Sequence, residues 1–298
     1  MPPLPLAARR RASVAVAGTP LSRAGISLRA YRDAMPDDLS DFTCTPFTHE
    51  GRTRDVYRSG TGPAVVVMAE IPGITPAVAA FARRVRDLGC TVVLPVLFGE
   101  PGKDPSGPYM VRSLVPACVS KEFAAFATGR TAPVTEWLRA LARDAHAACG
   151  GHGVGAVGMC FTGGFALGMM AGPEMIAPVL SQPSLPIGFT GSAKSSVHLS
   201  DEDLARVRER VDEGVCVLGL RFTNDMAVPA ERFERLRREL GDGFIGVEID
   251  SSKGNPWDIS PRAHSVLTEH LVDQPGHPTR EALDQVLDFF RDRLVAPQ

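Results

Sequence analysis

Cys160 stands where an apolar run breaks into glycines, in Val154-Gly-Ala-Val-Gly-Met-Cys-Phe-Thr-Gly-Gly164. A run that stops at a small-X-nucleophile-X-small turn and resumes as the helix-like Phe165–Met170 reads as a strand, a sharp turn and a helix, the nucleophile elbow. The turn is strained and needs small neighbours, which Gly158 and Thr162 or Gly163 supply. A thiol held there sits at the N-terminus of the next helix, where the dipole and the free N–H groups favour thiolate and oxyanion. That is the equipment for attack on an acyl carbon. An acid and a histidine should then follow, each just beyond a later strand. Asn224-Asp225-Met-Ala-Val-Pro229 closes one apolar run, and Pro261-Arg-Ala-His264-Ser265 lies beyond the last one and before the C-terminal helix. Asp225 would orient His264, and His264 would take the proton from Cys160 and return it to a leaving group.

These residues need a scaffold. From Asp41 onward the pattern predicts strands at Pro63–Glu70, Cys90–Val96, Gly153–Met159, Ala177–Ser181, Val215–Thr223 and Phe244–Asp250. Helix-length segments separate them: Thr75–Leu88, Val134–Cys149, Glu202–Val211, Pro229–Leu240 and Arg280–Leu294. Alternating Val-rich strands and helices imply an α/β fold whose mostly parallel sheet is covered on both faces, with function at the C-terminal ends of the strands. Phe98–Ala132 interrupts the alternation and is read as a lid-like insertion in a single domain spanning 41–298. Gly153-Val-Gly155-Ala-Val-Gly158 matches a dinucleotide fingerprint, but its glycines fall within the strand and a helix precedes them, so no nucleotide cofactor is expected. Arg232, Arg235, Arg237 and Arg238 interleave with acids and read as the wet face of a helix.

Composition narrows the partners. The chain has 298 residues, 44% of them hydrophobic, and 32 basic against 34 acidic residues for a net charge of -2. Its mean hydropathy is near zero. A large core fits this, and a nucleic-acid surface or an electrostatic membrane anchor does not. A small molecule is the expected partner. The six cysteines (Cys44, Cys90, Cys118, Cys149, Cys160, Cys216) are scattered without a C-x-x-C pair, as in a reduced, cytoplasmic protein. His264, His270 and His277, or His146 and His152, match no metal-ligand signature, so no metal is expected. No apolar stretch reaches the roughly 18 residues that span a bilayer. Residues 1–32 carry Arg9, Arg10, Arg11, Arg23, Arg29 and Arg32 and no acid. Residues 1–40 are read as a disordered or non-core extension, with Met35 as a candidate start and a transit segment as the other reading.

The motifs together resemble the dienelactone hydrolase (carboxymethylenebutenolidase) family of α/β-hydrolases. Gly-Met-Cys160-Phe-Thr-Gly-Gly, Asn224-Asp225, Ala-His264-Ser265 and Ala-Glu70-Ile-Pro-Gly73-Ile carry the resemblance, which spans roughly residues 43 to 294. It implies an α/β-hydrolase fold and a Cys-Asp-His triad. It further implies that Glu70 contacts the thiol and controls its activation, and that the backbone N–H groups of Ile71 and Phe161 form the oxyanion hole. A carboxylate beside the sulfur would suppress thiolate until substrate displaces it. The chain departs from the family at Thr162, where glycine is usual, and at Thr268, where the enol-lactone hydrolases carry a carboxylate-binding arginine four residues after the histidine. Arg112 and Lys121 in the insertion are the candidate replacements. The reading is a hydrolase of an ester, lactone or related activated acyl bond. An acyltransferase or cyclase with the same nucleophile, or a ligand-binding or thiol-sensing protein on the same scaffold, stands as the alternative.

Overall fold

A computed structural model of the chain describes residues 37–123, 129–184 and 194–296. Eight strands form one sheet: β1 (Thr43–His49), β2 (Arg52–Gly60), β3 (Ala64–Met68), β4 (Thr91–Pro95), β5 (Val154–Met159), β6 (Met175–Ser181), β7 (Val217–Phe222) and β8 (Phe244–Ile249). Their spatial order is β1-β2-β4-β3-β5-β6-β7-β8. The pairs β1–β2 and β2–β4 are antiparallel and all others parallel. This is the α/β-hydrolase arrangement, with the predicted parallel strands in their expected places. The antiparallel pair β1–β2 carries none of the apolar runs used in the sequence reading, because β1 is an edge strand whose residues are mostly exposed.

Period-two alternation splits the central strands between two cores. Val66 and Met68 of β3 face one cluster, and Val65 and Val67 face the other. The first cluster is closed by α3 (Val134–Cys149), α4 (Gly163–Met169), α5 (Asp201–Asp212) and α6 (Ala230–Leu240), through Trp137, Phe165, Leu204 and Phe233. The second is closed by α1 (Pro76–Arg86) and α7 (Pro278–Phe290), through Phe81, Val85, Leu283 and Phe290. Local sequence starts these helices where they start. Thr75 caps α1 by accepting from the Val78 N–H at 3.3 Å, with Pro76 at the first helical position. Ser200 caps α5 through the Asp203 N–H at 3.2 Å. No helix among the described residues is long and apolar enough to cross a membrane.

Three sequence expectations change. Residues 1–36 lie outside the described residues, but 37–40 do not belong to a loose extension. Asp37 pairs with Arg83 at 2.6 Å, its N–H donates to the Gly102 carbonyl at 2.8 Å, and Leu39 is buried. The 98–132 insertion contains a helix, α2 (Gly107–Val119), that sequence reading missed because glycine and proline open it and Pro116 lies inside it. Tyr109 anchors α2, its hydroxyl oxygen accepting from the Glu100 N–H at 2.5 Å. Arg232 is not on a wet face. It is 3% exposed, and its guanidinium donates to the carbonyls of Pro183 at 2.6 Å, Ser196 at 2.9 Å and Ala227 at 3.1 Å.

Candidate active site

β5 ends at Met159, and the chain turns at once through Cys160–Thr162 into α4. Cys160 takes φ +55°, a left-handed conformation that a non-glycine residue holds only when its surroundings impose it. The imposing contacts are local. Gly158 lets the Thr162 carbonyl approach to where a Cβ would be only 2.2 Å away, and Gly163 lies against Pro183. Thr162, buried, accepts from the Met159 N–H at 2.8 Å, while the Met68 and Met159 carbonyls lie 3.0 and 2.9 Å from its hydroxyl. Where the family usually has glycine, this chain thus spends a hydroxyl on tying the elbow to the end of β3. Phe161 is fixed among Phe98, Phe123 and Phe165 at ring-centroid distances of 6.0, 6.0 and 5.3 Å.

The turn after β7 presents Asp225, buried, whose Oδ2 lies 2.6 Å from Nδ1 of His264 and whose Oδ1 accepts the Ala227 N–H at 2.9 Å. With Nδ1 committed to Asp225, Nε2 is the nitrogen left for the sulfur. Burial works against charge on His264. The negative charge of Cys160 and the bonds to Asp225 and Cys160 outweigh it and push the imidazole up to about 11. The loop bearing His264 closes on itself, because His270 Nδ1 accepts the backbone N–H groups of Ser265 at 3.2 Å and His264 at 3.4 Å. A ring nitrogen that accepts must be unprotonated, and burial together with the neighbouring His264 lowers the His270 pKa accordingly. Asn224 adds a tie to the same loop through the Pro261 carbonyl at 3.0 Å.

Glu70 follows β3 and is 6% exposed. Its carboxylate accepts from Ser265 Oγ at 2.6 Å, from the Thr268 hydroxyl and from Gln182 Nε2 at 3.3 Å. The expected contact with the thiol is not among its hydrogen bonds. Cys160 Sγ, besides its interaction with His264, lies 3.0 Å from Ser184 Oγ. Thr268, expected only as a missing arginine, is a ligand of Glu70 instead. Ile71 and Phe161 directly follow Glu70 and Cys160, the latter opening the helical turn whose first N–H groups lack intrahelical partners. Arg112 and Lys121 are exposed, and neither forms an ion pair with the described residues.

Cys160, Asp225, His264 and Glu70 thus meet at the C-terminal ends of the strands, whereas no bond ties Arg112 or Lys121 to them among the described residues. Gln182, Ser184, Ser265, Thr268, His270 and Arg232 join the site without having been singled out for it. Arg232 alone carried a readable signal. It stands four residues before Leu236 and eight before Leu240, on the buried stripe of α6.

The sequence profile of the dienelactone hydrolase family matches residues 55–255. No curated relative matches the chain. Among solved structures, a protein of Klebsiella pneumoniae subsp. pneumoniae described as a candidate dienelactone hydrolase is similar at 19% identity and a TM-score of 0.57, over 84% of this chain and 97% of that one. A dienelactone hydrolase-like promiscuous phosphotriesterase from metagenomic libraries is similar at 18% identity and a TM-score of 0.54, over 85% and 98%. A cold-adapted esterase from an Arctic intertidal metagenomic library shares 16% identity at a TM-score of 0.52, over 84% and 93%. At these identities the solved structures speak for the fold, and the profile match speaks for the family. The chain belongs to the dienelactone hydrolase family, as a hydrolase of ester or lactone bonds on an α/β-hydrolase fold.

Proposed function

We propose that the chain cleaves an ester, lactone or related activated acyl bond of a small molecule through Cys160, with His264 moving the proton and Asp225 orienting His264. The carrying observation is the elbow: Cys160 at φ +55° on the strand-to-helix turn, with an imidazole held by Asp225 at 2.6 Å. Transfer of the thiol proton to Nε2 leaves thiolate and imidazolium, and the Asp225 carboxylate favours that charge on the ring. The sulfur attacks the acyl carbon, the C–S bond forms, and the carbonyl electrons pass to an oxygen that the Ile71 and Phe161 N–H groups would receive. Collapse breaks the bond to the leaving oxygen, which takes the proton from His264. Water, deprotonated by His264, then hydrolyses the thioester and returns the thiolate. Arg112 and Lys121, both exposed, are the candidate groups for holding a substrate carboxylate.

The test is intact-mass analysis after incubation with a panel of activated esters and enol-lactones, with wild type and Cys160→Ala compared. An acyl adduct confined to wild type is expected, together with loss of turnover in the variant. Turnover surviving in Cys160→Ala overturns the assignment. Acyl transfer to an added alcohol or thiol at the expense of free acid would move the reaction from hydrolase to transferase.

A further inference from the structure

Ser184 grips Cys160 at two points. Its N–H donates to the Cys160 carbonyl at 3.0 Å, and its Oγ lies 3.0 Å from Cys160 Sγ. The residue is 5% exposed, so its hydroxyl exchanges little with bulk water. Its own position is set from both sides. Arg232 donates to the preceding Pro183 carbonyl at 2.6 Å. Gln182 takes φ +37° and is fixed by accepting the Val266 N–H at 3.2 Å and donating to Glu70. A buried hydroxyl on a braced backbone is thereby held close to the sulfur.

We propose that Ser184 is a catalytic residue of this chain, its hydroxyl donating to the Cys160 thiolate. The assignment rests on Cys160 being the nucleophile. A hydroxyl and a carboxylate act on a thiol with opposite sign. The carboxylate repels thiolate, whereas an O–H donor stabilises it and adds no charge of its own. When the thiol proton passes to His264, the sulfur lone pair left behind receives the Ser184 hydrogen. When the C–S bond forms, charge leaves the sulfur for the carbonyl oxygen and that hydrogen bond weakens. Ser184 thereby sets how much of the nucleophile is poised before substrate arrives. Glu70 meanwhile holds Ser265 and Thr268, on either side of the turn after His264, through neutral donors. The titratable group facing the sulfur is His264, with Asp225 behind it, His270 further along the same loop, and Glu70 bonded to that loop from the end of β3.

The experiment is the pH dependence of alkylation of Cys160 by iodoacetamide, which reads thiolate without any substrate, in wild type, Ser184→Ala, Ser184→Thr and Cys160→Ala. Cys160→Ala identifies the signal, and thermal unfolding shows that each variant is folded. Alkylation of the wild-type residue is expected with a midpoint well below that of a free thiol. In Ser184→Ala the midpoint should rise by about one pH unit, a tenfold loss of thiolate at a given pH below it, because a hydrogen bond to a charged group is removed while the backbone bond remains. Ser184→Thr keeps the hydroxyl and should restore the wild-type midpoint. If Ser184→Ala does not fold, a wild-type midpoint in Ser184→Thr together with a raised one in Ser184→Gly decides for the hydroxyl. A low wild-type midpoint that Ser184→Ala leaves in place overturns the role of Ser184 and leaves the proposed function standing. A wild-type midpoint of an ordinary free thiol sinks the activated nucleophile itself.

Discussion

At the scale of single residues the site is a contest over one proton. Burial alone would strip His264 of its charge, yet the charge on Cys160 and the bonds to Asp225 and Cys160 carry it up to about 11. The imidazolium is therefore the stable form through neutral pH and is lost as the pH rises toward that value. Turnover should fall on the alkaline side, since the leaving oxygen no longer finds a proton. Asp225→Asn removes one of the supports, so the alkaline limb should move to lower pH and kcat should drop by roughly 10³–10⁴-fold. A pH–rate profile of wild type and variant checks both; an alkaline limb that stays in place in Asp225→Asn would dissociate the carboxylate from the base. The triad residues were legible in the sequence because each follows an apolar run at a turn, a pattern set by the fold. The bonds of Glu70 were not. They join position 70 to 182, 265 and 268, and nothing local to any of those residues announces a partner so distant in the chain.

At the scale of elements, the elbow depends on glycine in a way that can be measured. The Thr162 carbonyl would lie 2.2 Å from a Cβ at Gly158, and because it belongs to backbone it can yield only by opening the turn. Gly158→Ala should therefore cost about 1–3 kcal/mol of stability by chemical denaturation. It should also abolish most activity, since the φ of Cys160 is what aims the sulfur. A variant destabilised but fully active would mean that the turn relaxes without moving the thiol. The parallel strands β3 to β7 were predictable to within about two residues because burial on both faces makes them apolar runs bounded by turn residues, and β8 followed from its position after a helix-length segment although its middle is partly exposed. The β1–β2 side of the sheet was not predictable in that way. β1 and β2 are half-exposed and lack such runs. Helix α2 escaped for the opposite reason: Met110, Val111, Leu114 and Val115 are exposed apolar residues on a helix that contains a proline, so its pattern matches no amphipathic surface helix.

At the scale of the whole molecule, α1 is where both ends of the described chain are fastened. Arg83 binds Asp37 and Asp41, with Nη–Oδ distances of 2.6 Å to each, and Arg86 also reaches Asp41 at 2.6 Å. Arg84 binds Asp273 at 2.8 Å, and Arg280 of α7 shares that carboxylate at 2.7 Å. The hydrogen bonds from Arg83 hold Asp37 and Asp41 below the ordinary carboxylate value, and those from Arg84 and then Arg280 do the same for Asp273. A carboxyl whose pKa is lowered by folding stabilises the fold above its unfolded value, near 3.9, and loses that contribution as the pH falls through the lower folded value. Thermal stability should accordingly decline as the pH drops below about 4. In Arg83→Gln the melting temperature should be lower at neutral pH, by a modest amount because these pairs are partly exposed to solvent. Its acid decline should also be shallower, since Asp37 loses its guanidinium and Asp41 keeps only Arg86. Melting curves taken from pH 7 to pH 2 separate the outcomes. Parallel acid declines in wild type and variant would mean that acid unfolding is governed elsewhere, with Asp273 between Arg84 and Arg280 as the next group to remove.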